Sequence, residues 1–191
     1  MKTIFTLFAL LSLITYKAQQ IYPLNTYYED VPNYSYMKDL NNDLPPYEGT
    51  YKATFEGNEI TLFITKEDKM LIDYGADDRK YYQDVLHVKY TIKNISTGNV
   101  LEDNLNSNSL SEREIISMGT NPKENNSIDL GFVGGRCFIG WGRITLLKIN
   151  DTQVKWAYYP NSLILSDSTC PNSSNLKIYL PDTRNLIFTK E

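Results

Sequence analysis

Two residue types that carry much of enzyme chemistry are nearly missing from these 191 residues, which hold one histidine, His87, and two cysteines, Cys137 and Cys170. A serine or cysteine nucleophile would have His87 alone as its base. Strand alternation sets that ring beside Lys89 and Lys93 on a polar face, so no catalytic residue is assigned and the chain reads as non-enzymatic. Two thiols and one imidazole are too few for a zinc site. Asp39, Asn41 and Asp43 open like a calcium loop, but glycine is missing at the sixth position and Thr50 stands where the twelfth needs Glu. The reading is a solvated acidic turn, with no metal and no cofactor expected. Glu48, Glu56, Glu59, Asp73 or Asp84 could supply two carboxylates for glycoside hydrolysis, yet sequence gives no distance between them, which makes a hydrolase the least favoured reading. Gly134-Gly135-Arg136 does not open a helix and is no phosphate loop. Positive charge is short as well: 19 basic residues face 23 acidic ones, for a net charge of -4, without the basic face that nucleic acid needs.

Long apolar runs are absent too. The longest, Thr3 to Tyr16, falls short of the roughly 20 residues of a spanning helix. Lys2 before it and Lys17-Ala18-Gln19 after it fit a signal peptide over residues 1-19, with an apolar first strand as the alternative. No cysteine stands at that junction, so no lipid anchor is expected. The expectation is an exported chain, periplasmic or extracellular, whose mature part does not span a membrane and keeps 17 basic against 23 acidic residues. In an oxidising compartment the pair Cys137 and Cys170 reads as a disulfide.

What is abundant is strand signal. Tyr51, Ala53 and Phe55 alternate with Lys52, Thr54 and Glu56, then Gly57-Asn58 turns the chain into Ile60, Leu62 and Ile64. A short strand over Met70-Tyr74 and a longer one over Tyr82-Asn94 follow, the latter with Val88, Tyr90 and Ile92 on one side. The stretch 100-127 is weaker: a short strand, a loop and one helical turn at Ser111-Ser117. Strands resume at Ile128-Val133 and Cys137-Ile149, the latter bent at Gly140 and Gly142. Val154-Trp156-Tyr158, Leu176-Ile178-Leu180 and Asn185-Lys190 complete the set. Eight or so short strands with hairpin turns predict an all-β domain over 47-191, an antiparallel up-and-down barrel or a closely related β-sandwich. Residues 20-46 carry Tyr22, Tyr27, Tyr28, Tyr34 and Tyr36 among prolines without a period, and read as an extended N-terminal arm on the barrel.

Four segments carry a resemblance: Tyr47-Glu48-Gly49-Thr50-Tyr51, Asn58 to Leu62, Gly135 to Arg143 and Leu176 to Pro181. Through them the chain resembles a family of small secreted Bacteroidota proteins of unknown function, which implies export and a β fold and brings no activity with it. Gly49-Thr50-Tyr51 is more distantly similar to the Gly-x-Trp start of lipocalin-like barrels, with Tyr51 in place of the Trp. Binding is the function left. Tyr51, Tyr90, Trp141, Trp156 and Tyr158 could line an interior for a small apolar or carbohydrate ligand, with Arg143 anchoring a carboxylate. Plain core packing is the competing account of these aromatics. A protein-interaction role at the cell envelope, through the arm tyrosines, is the alternative function.

Overall fold

The structure, a computed structural model, describes residues 18-73, 75, 79-106, 113-165, 170-171 and 176-191. The arm contributes two short strands, β1 (Ile21–Pro23) and β2 (Tyr36–Lys38), paired in parallel with each other. Next come β3 (Gly49–Phe55) and β4 (Asn58–Ile72), in which alternation sets Tyr51 against Leu62 and Ala53 against Ile60. Glu56 and Gly57 make the turn between them with φ of 48° and 77°, the double positive φ whose twist suits a two-residue hairpin. That turn falls one residue before the expected Gly57-Asn58, because Asn58 already pairs with Phe55. The separate strand expected from Met70 is instead the far half of β4, set off by a bulge between Glu67 and Met70 in which Lys69 has φ 58°. Tyr74 lies outside the described residues.

β5 (Tyr81–Asn94) lies along β4 and shares its other edge among three short partners. β2 pairs with its start in parallel, β6 (Val100–Asp103) with its end, and β7 (Ile115–Asn121) bridges its middle at His87. β8 (Ser127–Phe132), β9 (Gly142–Asn150), β10 (Gln153–Pro160) and β11 (Leu186–Lys190) follow as antiparallel neighbours, and β11 returns to β3 through Thr189 opposite Lys52. The ring β3-β4-β5-β7-β8-β9-β10-β11 is therefore a closed, eight-stranded antiparallel barrel. Among the described residues the helical pieces are four three-residue 3-10 turns.

Three expectations are corrected here. The helical turn proposed over Ser111-Ser117 is not formed in its described part: Ile115, Ile116 and Ser117 are buried and open β7. Cys137-Ile149 is not one strand, since Cys137 and Phe138 adopt φ of 54° and 60° in a turn and β9 begins only at Gly142. Leu176, Ile178 and Leu180 form no strand; Leu180 is buried, while Ile178 stays exposed across one end of the barrel. That end is closed by side-chain bonds to the backbone. Trp156 Nε1 donates to the Pro181 carbonyl at 3.0 Å and the Tyr158 hydroxyl to the Gly140 carbonyl. A disulfide joins Cys137 to Cys170 across 33 residues, a loop whose closure contributes about 3 to 4 kcal/mol in the chain-entropy account.

The arm is clasped to the barrel by buried carboxylates. Asp84 on β5 accepts from the Tyr36 hydroxyl and from two backbone N–H groups, Asp39 at 2.9 Å and Lys69 at 2.9 Å. Burial would push its pKa up, but the bonds from Tyr36, Asp39 and Lys69 and the charge of Lys66 outweigh it and hold the carboxyl below its ordinary value. Asp39, expected in a solvated turn, is itself buried and accepts from the N–H groups of Asp43 and Leu44.

Candidate functional site

Interior positions alternate around the closed sheet, so the side chains that fill the barrel follow from register. Tyr51, Tyr90, Trp156 and Tyr158, four of the six residues considered for ligand binding, all point into it and are buried. Their rings occupy the space between the strands. Trp156 packs on Phe188 with ring centroids 5.8 Å apart and on Tyr158 at 6.3 Å, and Phe132 meets Tyr158 edge-on at 6.0 Å. The Tyr90 hydroxyl donates to Glu102 at 2.7 Å, while the buried Tyr51 hydroxyl has no hydrogen-bond partner. Burial, with the nearby charges of Glu102 and of Asp182, drives the phenols of Tyr90 and Tyr158 well above their usual pKa. These rings work as core.

The other two candidates lie outside. Trp141 is 45% exposed, next to the disulfide-linked turn, and its carbonyl accepts from the N–H of Asn161 at 2.7 Å. Arg143, at the start of β9, points outward with its guanidinium over the ring of Tyr159, 5.3 Å from the centroid, and its Nε 4.0 Å from Asp129. The six residues are thus not brought together around one cavity.

What Arg143 borders is a groove of about 640 Å³ between the arm and the outer face of the barrel. One wall is the arm segment from Leu24 to Tyr28, and the other is built from Ile72, Tyr81, Gln83, Met118 and Asp129. Tyr28 stacks on Tyr81 with centroids 6.4 Å apart, and Tyr27 meets Tyr28 edge-on at 5.1 Å. The arm lies this close because Gly119 has no side chain: a Cβ there would stand 2.7 Å from the Leu24 carbonyl oxygen. Arg79 lines the same groove and donates to the Val31 carbonyl at 2.7 Å, tying the arm at a second point. Chemically the site offers aromatic faces with polar tips, an aliphatic floor and two guanidiniums, a set suited to holding a ligand.

His87, read as an exposed structural residue, is half-buried on β5 and meets Glu67 at 3.0 Å. Among the described residues no three His, Cys, Asp or Glu side chains lie close enough to hold a metal ion, and no helix is long and apolar enough to cross a membrane. The sequence marks Tyr27 and Tyr28 as contact residues of the arm but does not join them to Tyr81, Arg79 and Arg143. The nearest signal was the density of tyrosines without a period. Comparison with family models, curated proteins and solved structures returned no match.

Proposed function

We propose that the protein is an exported, non-enzymatic binding module whose ligand, small and apolar or sugar-like, sits in the groove between arm and barrel. The observation that carries this reading is the groove itself, whose 640 Å³ falls in the usual range for ligand pockets and whose walls combine Tyr27, Tyr28 and Tyr81 with Arg143. The interior offers no comparable support, since Tyr51, Tyr90, Trp156 and Tyr158 are buried there as part of the core. Export is supported by the apolar N-terminal run and by the disulfide, a bond that persists in oxidising compartments. Titration of the isotope-labelled mature chain with simple sugars and aromatic carboxylic acids, followed by amide NMR, tests it. Shifts clustered at Leu24–Tyr28, Met118 and Gly119 are expected; an unresponsive groove sinks the reading.

A second reading, a contact surface for an envelope protein, is favoured by Tyr34, which is 56% exposed on the same arm yet does not line the groove. A protein partner would cover Tyr34 and Tyr27 together, whereas a ligand in the groove leaves Tyr34 in water.

A further inference from the structure

A second concavity, of about 410 Å³, opens on the outer face of β8, β9 and β10. Register shows that it adjoins the groove under the arm. Asp129 and Arg143 border the groove, and their direct cross-strand neighbours, Thr145 on β9 and Tyr159 on β10, border the second pocket. Thr145 donates to Asp129 at 3.1 Å and Arg143 lies over Tyr159, so one low ridge of contacting side chains separates the two spaces.

The side chains that line the two spaces are together net positive, opposite in sign to the chain. Arg79 and Arg143 face Asp129 in the first, and Lys155 and Arg184 face Glu124 in the second. Four cations against two anions line them on a protein whose formal charge is -4. Lys155 makes no ion pair among the described residues. The Arg184 guanidinium stacks on Tyr159 at 4.2 Å from its centroid while pairing with Asp182 at 2.9 Å. The rest of the second lining is rich in amide and hydroxyl groups, including Asn125 and Asn185. Ser127, also in that lining, is fully buried and its hydroxyl has no hydrogen-bond partner.

We propose that the two spaces form one extended site for an acidic polysaccharide, a chain of sugar rings bearing carboxylates, which crosses the Asp129–Arg143 ridge. This rests on the groove under the arm being a binding site. Net positive lining supplies complementarity to the carboxylates, amides and hydroxyls answer the ring hydroxyls, and tyrosine faces take the apolar sides of the rings. A peptide strand is disfavoured because β8, β9 and β10 are paired on both edges, which leaves no open ladder beneath the site for strand addition.

Calorimetry on the full mature chain with galacturonate oligomers of one to six rings, in low and physiological salt, is the test. Affinity is expected to climb at least tenfold from the single ring to the hexamer and to weaken with salt. The matching neutral glucose oligomers should bind at least tenfold more weakly at full length. Lys155→Glu should flatten the length dependence, and Tyr27→Ala should weaken every length. As a readout independent of any variant, amide shifts caused by the hexamer should appear on both sides of the ridge, at Asp129 and at Tyr159. Affinity independent of length, with shifts confined to the arm groove, overturns the extended site and leaves the groove reading intact. Equal binding of the neutral chains, or tighter binding of polyglutamate, overturns the acidic sugar assignment. A protein that binds none of the sugars or aromatic acids overturns both readings together.

Discussion

The barrel interior and the face under the arm use one kind of residue, the aromatic, to opposite ends. Inside, Tyr51, Tyr90, Trp156 and Tyr158 occupy alternate positions of paired strands, and each is buried against neighbours fixed by register. Under the arm, Tyr27 and Tyr28 lie on a segment held by a few bonds, and Tyr27 keeps 57% of its surface in water. A ring in the first setting contributes to stability because nothing can collapse into its place. A ring in the second contributes little to stability and is free to meet a ligand. The residue type therefore says less than the periodicity around it.

The two tryptophans give this contrast its strongest test. Trp156 is 0% exposed and hydrogen-bonded to Pro181, so Trp156→Ala is expected to cost about 3 to 5 kcal/mol. Trp141, half in water, should lose clearly less on the same substitution, on the order of 1 kcal/mol. Urea unfolding of both variants measures the difference. Equal losses would mean that the outer tryptophan is as much a part of the core as the inner one, and the division between the two regions would fail.

The clasp that joins the regions comes next in size. Asp84→Asn keeps the shape and removes the charge that Tyr36 and two backbone N–H groups serve, at a cost on the order of 2 kcal/mol at neutral pH. The pH dependence follows from the direction of the shift. Asp84 titrates lower in the folded chain than in the unfolded one, so its contribution is complete above the unfolded value of about 4 and is lost as pH falls through the folded value. The gap between wild type and variant should therefore narrow on acidification below about pH 4. A gap that stays constant with pH would show that the loss comes from an amide NH2 placed against donors, and not from the missing charge.

Much of the barrel is legible along the chain because strand alternation is a local signal. Tyr51-Ala53-Phe55 and Ile60-Leu62-Ile64 predict one buried face, but the register was not legible: a turn at Gly57-Asn58 would set Tyr51 against Ile64, and the turn at Glu56-Gly57 sets it against Leu62 instead. The disulfide was legible from two cysteines and a compartment. Reading failed where backbone geometry overrides pattern. Residues 137-141 are as apolar as a strand, but left-handed φ at Cys137 and Phe138 turns the chain before β9 begins. Leu176, Ile178 and Leu180 alternate like a strand and act as a cover, because β10 already has β9 and β11 as partners. The groove was illegible for a different reason: Tyr28, Tyr81 and Arg143 are far apart in sequence, and they meet only once β2 adds in parallel to β5 and carries the arm across the barrel.

A smaller expected effect isolates the groove from the core. Gly119 follows the bulge in β7, and a methyl group there would press on the Leu24 carbonyl oxygen, a backbone atom that can yield only if the arm moves. Gly119→Ala is therefore expected to cost about 1 to 2 kcal/mol, less than the loss at Trp156, and to concentrate its effect on the arm. Limited proteolysis should cut Leu24–Tyr28 faster in the variant, while the near-ultraviolet signal of the buried aromatics stays close to wild type. Because Tyr27 and Tyr28 form one wall of the groove, ligand affinity should fall with arm protection rather than with global stability. An arm as protected as before, with the loss spread through the barrel, would mean that the arm and the core are one cooperative unit, and that the groove is a fixed crease of the fold and not a site whose wall can move.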